Sequence, residues 1–158
     1  MLYLIRSWGK KNSILKIGFT SNVQKRMENY YHSNPFFKKI SLREGELYEE
    51  KLIQLYTTLM GYKYKILDEW FIDCPEVISI FHRPISKMKK TLWKHRDEIF
   101  KIEDFKKGSD KRIREIFEDL KKTYGKKGKF TTKIDSDYGF LVAQETLKKM
   151  KSDDYFFY

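Results

Sequence analysis

At 158 residues the chain has the size of one domain, or of one small domain with an appendage, and 41% hydrophobic with 16% aromatic residues is enough for a packed core. No apolar run approaches the ~20 residues of a membrane span, no signal-peptide pattern opens the chain, and the lone Cys74 excludes an internal disulfide and a cysteine-rich zinc site. We therefore expect an intracellular protein of the cytoplasm, a nucleoid or a viral replication site, with no membrane partner and no secretion, and the net charge of +11 favours a polyanionic partner.

Leu2 to Arg6 reads as a first strand, Ser7 to Ser13 as a turn-rich connection, and Ile14 to Gly18 as a second strand in which Leu15 and Ile17 alternate with Lys16. Folding the two as a hairpin with Leu4 opposite Leu15 sets Tyr3 opposite Lys16, so that both share a face. Gly18 removes the side chain where another group comes close to the backbone. Thr20, Ser21 and Asn22 are all N-cap residues and start a helix over residues 22–32. Arg26 and Tyr30, four apart, project from one side of it. A phosphate oxygen would find backbone N–H groups and an arginine fork there.

Ser33-Asn34-Pro35 stops this helix, and Phe36 to Arg43 follows as a third strand. Glu46 to Met60 is the strongest helix of the first half, with Leu52, Leu55, Tyr56 and Leu59 as its apolar stripe and Gly61 as its C-terminal cap. Tyr62 to Leu67 is extended and leads into Asp68-Glu69-Trp70-Phe71, where Trp70 and Phe71 read as core. Pro75 opens a short helix to His82.

From Arg83 onward the character shifts. Residues 1–82 hold 12 Lys/Arg against 9 Asp/Glu, whereas residues 83–158 hold 21 against 13. A lysine-studded helix is expected over 85–100. Gly108-Ser109-Asp110 caps another, with Ile113, Ile116, Phe117 and Leu120 buried. A glycine–lysine loop over 124–130, a helix over 138–151 and the tail Tyr155-Phe156-Phe157-Tyr158 complete the chain. Amphipathic helices with basic faces and aromatic residues suit backbone contact with stacking on exposed bases, and equally suit a helical subdomain packed on the first half.

Met1-Leu2-Tyr3, Lys16-Ile17-Gly18, Arg26 eight residues after that glycine, Tyr30 four further on, Glu50-Lys51-Leu52-Ile53-Gln54 and Glu69-Trp70-Phe71 stand in an order that resembles the GIY-YIG nuclease superfamily. Within it the chain looks closest to the subgroup typified by the phage T-five Orf-one-seven-two DNA-binding domain. Met1-Leu2-Tyr3 falls where Gly-Ile-Tyr would be, without the glycine, and Lys16 stands where the second motif usually has tyrosine. Gln54 falls where this subgroup often has histidine.

The resemblance covers roughly residues 1–82 and implies an α+β fold, a small domain with a three-stranded antiparallel sheet flanked by helices. Residues 83–158 then form a basic, mainly helical extension, either an accessory DNA-binding region or a packing region. It also implies a DNA endonuclease that hydrolyses phosphodiester bonds with a single Mg²⁺, for which Mn²⁺ can substitute, and with no small-molecule cofactor. The implied catalytic set is Tyr3, Lys16, Arg26, Tyr30 and Glu50. Glu50 is the metal ligand preferred on the local match, and Glu49 is its adjacent alternative. Lys25, Lys126, Lys127 and Lys129 are candidate nucleic-acid contacts.

These residue types suit the chemistry. Cleaving a phosphodiester needs a cation on the non-bridging oxygens, a base for the attacking water and stabilisation of charge at phosphorus. One carboxylate with water and substrate phosphate is a common magnesium environment, and an arginine fork grips phosphate as charge builds. Tyr3 is the candidate base, assisted by Tyr30. A free phenol with a pKa of about 10 is a poor base at neutral pH, and Lys16 and Arg26 nearby are expected to lower it. Two other readings stay open: a non-catalytic DNA-binding module, and a helical interaction protein whose charge is incidental.

Overall fold

Two stretches of seven mostly buried residues make the first hairpin, covered on both faces: β1 (Leu2–Trp8) and β2 (Ser13–Phe19) pair antiparallel. The computed structural model describes residues 1–8, 13–62, 69–101 and 111–125. The expected glycine–lysine loop beyond Gly125, the helix over 138–151 and the aromatic tail lie outside these residues, and Lys126, Lys127 and Lys129 with them. Elements follow as α1 (Val23–Ser33), β3 (Phe37–Arg43), α2 (Leu47–Leu59), β4 (Trp70–Ile72), α3 (Pro75–Phe81), α4 (Ile85–Lys94), α5 (Arg96–Lys101) and α6 (Lys111–Tyr124). The fold is α+β, as expected, with an antiparallel sheet flanked by helices.

The sheet has four strands rather than three, in the order β3-β1-β2-β4. The added strand is only Trp70–Ile72, laid along the outer edge of β2. Three residues are too few to display the alternation by which a strand is recognised, yet they supply partners for backbone groups that β2 would otherwise leave open.

The hairpin register also differs from the expected one. Leu4 pairs with Ile17 rather than Leu15, and Tyr3 lies opposite Gly18 rather than Lys16. A slip of two residues returns every side chain to the same face, so the hydrophobic pattern alone does not distinguish the two registers. What selects this one is the ring of Tyr3, which needs a partner without a side chain. On β3 the pairing with β1 shifts between Leu4 and Ile5, a bulge that leaves Ile40 without a directly paired residue.

One face of the sheet, with Leu2, Leu4, Leu15, Ile17 and Phe71, packs on α2. That helix is buried almost all round from Leu52 to Leu59, which is why its apolar stripe is wide. Thr57 and Thr58 are buried there with their hydroxyls donating to Ile53 O and Gln54 O. Gly61 follows α2 at φ 88°, the left-handed position a helix end favours. Met88 and Leu92 of α4, Ile99 of α5, and Ile113, Ile116, Phe117 and Leu120 of α6 continue the same apolar cluster on the far side of α2.

The helix expected over 85–100 is two, α4 and α5, parted at His95. Neither proline nor glycine stands there, and nothing local in the sequence explains the break. Arg43 Nη1 donates to the carbonyls of Phe81 and Arg83, which pins the end of β3 to the α3–α4 junction. Arg6, in turn, forks onto Asp73 at 2.6 and 3.0 Å, and Ser13 donates to the same carboxylate, tying β1 and β2 to the segment after β4.

Candidate functional site

The other face of the sheet lies under α1. Reading across the strands, Lys39, Ile5, Lys16 and Trp70 form one row, with Ile5 paired to both lysines and Lys16 paired to Trp70. The next row holds Leu42, Tyr3 and Gly18. A Cβ on Gly18 would fall inside the van der Waals shell of Tyr3 Cζ and Oη, so the phenol lies over the glycine's empty position. This is the close approach that the glycine was expected to allow.

Helix α1 begins where the caps indicate. Asn22 is its N-cap, with Oδ1 accepting from the Lys25 N–H at 3.0 Å, and Thr20 Oγ1 accepts from the Asn22 N–H. The α-amino group of Met1 donates to Thr20 O, which fastens the start of β1 to the turn that launches the helix. From α1, Tyr30 descends onto the sheet: its hydroxyl is 2.7 Å from that of Tyr3, and its ring lies edge-on to Tyr3 with centroids 5.9 Å apart. Asn34 just past the helix donates to Ser7 Oγ at 2.5 Å and fixes the other end of α1 over the same face.

Lys16 stands beside this pair. Its Nζ is 5.2 Å from the Tyr30 ring centroid, 5.4 Å from that of Trp70 and 3.0 Å from Glu69 Oε2. Burial alone would draw its pKa down, but the hydrogen bonds to Tyr30 and Glu69 outweigh burial and hold it above the ordinary lysine value, so it carries its charge. Tyr3 is 2% exposed. Burial first, and then the bond to Tyr30, push its pKa well above that of a free phenol, while the nearby Arg26 charge only partly opposes them. The expected lowering of the Tyr3 pKa is thus reversed: desolvation exceeds the pull of the cations. Tyr3 keeps its proton, and its hydroxyl shares a hydrogen bond with that of Tyr30.

Arg26 is exposed on α1, close enough for its charge to act on Tyr3. Lys25 is exposed beside it. Tyr3, Lys16 and Tyr30 therefore meet, with Arg26 at their margin.

Glu50 comes from another direction. It is 6% exposed in the first turn of α2, on the side of the sheet away from α1. Gln54 Nε2 donates both to Glu50 Oε1 at 3.1 Å and to Ile17 O at 2.8 Å. The Ile17 N–H bonds Glu69 O, so its backbone groups point toward the β4 edge; β4 starts only at Trp70, which leaves the Ile17 carbonyl to Gln54. Gln54 thus links the Glu50 carboxylate to the Ile17 carbonyl of β2, the residue between Lys16 and Gly18. Its neighbour Glu49 turns elsewhere and lines a cleft between α2, α4 and α6 with Lys89 and Asp119. Among the described residues no three His, Cys, Asp or Glu side chains converge to cage a metal.

Two members of this neighbourhood were not singled out by residue type alone. Glu69 is the partner of Lys16, and Trp70 presents its ring to the same ammonium instead of lying wholly in the core, while Phe71 is core. Their signal was the Glu-Trp-Phe run itself: in a strand, Trp70 and Phe71 must face opposite sides.

A family profile described as T5orf172 domain matches residues 1–137, which extends well past His82. No curated protein and no solved structure matches the chain. Among the described residues, no helix is long and apolar enough to cross a membrane.

Proposed function

The chain belongs to the T5orf172 domain family, consistent with a GIY-YIG-like, DNA-binding module, and on that premise we propose that it is a DNA endonuclease hydrolysing phosphodiester bonds. The observation that carries the reading is the meeting of Tyr3, Tyr30 and the charged Lys16 on one sheet face, with Arg26 beside them.

In this reading Arg26 grips the scissile phosphate and meets the negative charge that grows on its oxygens. Tyr3 stays protonated and donates to the Tyr30 oxygen. Tyr30, with Lys16 at its other side, is then the phenol that first gives its own proton to solvent and, as phenolate, takes the proton from the attacking water. Lys16 is held in position by Glu69 and by the rings of Tyr30 and Trp70. Glu50 is the carboxylate that would hold a single Mg²⁺, or Mn²⁺ in its place, and such an ion supplies charge neutralisation and polarisation of a phosphoryl oxygen. Gln54 orients that carboxylate.

Supercoiled plasmid incubated with the purified protein and Mg²⁺ tests the reading. Nicking is expected, and it should vanish in both Arg26→Ala and Glu50→Ala. The rival reading, a DNA-binding module without turnover, draws on one observation: the burial that keeps Tyr3 protonated removes the base first expected there. Retained binding without nicking in Mg²⁺ and in Mn²⁺ would favour that rival.

A further inference from the structure

Rings lead outward from the site. Tyr3 meets Tyr30, Tyr30 meets Phe37 with centroids 5.9 Å apart, and Phe37 meets Tyr31 at 6.3 Å. The buried end of this series is the Tyr3 phenol, and the outer end is Tyr31, which is 62% exposed. Phe36, on the turn into β3, is 68% exposed. Large aromatic side chains left in water next to a polar site mark a contact surface.

Charge says what kind of contact. Residues 29–43 contain no Asp or Glu, and Lys39 is exposed on the sheet face that carries these rings. Lys39 is in the same cross-strand row as Lys16, two strand spacings away or ~10 Å. A chain of phosphates crossing that row would meet both ammonium groups. The flat faces of Tyr31 and Phe36 match bases, but a base offers its own face only when it is unpaired; stacked pairs inside a duplex keep theirs covered.

We propose that Tyr31, Phe36 and Lys39 form a platform for unpaired nucleotides, so that the preferred DNA carries a single-stranded segment beside the phosphate gripped at Arg26. This rests on the reading of the site as a DNA phosphodiester site and adds the class of DNA it takes.

Fluorescence anisotropy with a blunt duplex, the same duplex bearing a single-stranded overhang, and the isolated strand tests it. The overhang should tighten binding about tenfold, in keeping with a stacking contribution of roughly 5- to 150-fold per base. The double substitution Tyr31→Ala with Phe36→Ala should remove that gain and leave blunt-duplex binding within about twofold, and Tyr31→Phe should restore most of it. Lys39→Ala should weaken binding of the overhang at low salt. As a measurement on the unaltered protein, 2-aminopurine in the overhang should change its fluorescence on binding, and 2-aminopurine inside the duplex should not.

Equal affinity for blunt and overhanging DNA, an equal loss on both in the double variant, or unchanged 2-aminopurine fluorescence would overturn the proposal. So would a dimer that dissociates on Tyr31→Ala with Phe36→Ala, since a second copy would then be the occupant. Loss of nicking in every assay with the overhang preference intact would sink the hydrolase reading and leave the platform standing. Nicking without that preference would do the reverse.

Discussion

The hydroxyls of Tyr3 and Tyr30 lie 2.7 Å apart across 27 residues of sequence, one on the second residue of β1 and the other on α1. Because burial and this bond hold Tyr3 above its ordinary pKa, it should keep its proton through the range near pH 10 in which a free phenol ionises, about its unperturbed pKa. Near-ultraviolet phenolate absorbance of wild type and Tyr3→Phe should coincide up to the pH at which the protein unfolds. The sign follows from linkage: a phenol whose folded pKa is raised adds stability that is complete below its unfolded value of about 10 and is lost as pH climbs beyond it. Alkaline unfolding should therefore come at higher pH in Tyr3→Phe, provided the lost hydrogen bond is allowed for in the neutral-pH stability.

Gly18→Ala tests the contact that sets the register. The added methyl overlaps Tyr3 Cζ and Oη, so the ring must leave or the strands must part. A cost of about 1–3 kcal/mol is expected, the usual range for overpacking a filled site. Urea unfolding measures it. Nicking should fall with it even at temperatures where the variant is folded, because the Tyr3–Tyr30 bond is displaced.

Lys16→Met keeps the length of the side chain and removes the cation. Affinity for DNA should drop, and the slope of log affinity against log salt should flatten by about 1, as for one lost phosphate contact. Glu69→Gln acts in the opposite direction: without the carboxylate 3.0 Å from Nζ, Lys16 is freer for phosphate and binding should tighten. Salt titration of both variants against the same duplex gives the comparison.

Asp73 governs acid stability. Burial would raise its pKa, but the hydrogen bonds from Arg6 and Ser13 exceed that and hold the carboxyl below its ordinary value. A carboxylate shifted this way contributes stability that is present above its unfolded pKa of about 4 and is lost as pH falls through the lower folded value. Asp73→Asn should cost about 2 kcal/mol at neutral pH and flatten the fall in stability toward acid. Thermal melts from pH 7 to pH 2 check both parts.

What could be read along the chain was what local chemistry fixes. The Asn22 cap, the helix stop before Pro35, Gly61 in its left-handed position and Pro75 at a helix start each depend on a few neighbours. Gly18 could be recognised as a point of close approach, though not what approached. The register, the strand at Trp70–Ile72 and the break at His95 depend on distant partners, and no nearby residue encodes them. The same limit explains Tyr3. Its sequence neighbours and the cations of the motif suggested an easily ionised phenol, whereas the packing of α1 over the sheet makes it a guarded one. Glu50 could be recognised by its place in the motif, but its route to β2 through Gln54 required the three-dimensional edge left open by a short β4.

That sheet has a second margin, and β3 is it. An outermost strand of seven residues with open backbone groups is a template for another molecule's strand. Here it carries Lys38 and Lys39 side by side and a bulge at Ile40, both of which discourage such recruitment. The cations thus discourage copies of the protein from zipping together, and neutralising both at once should trade solubility for fibril-like growth.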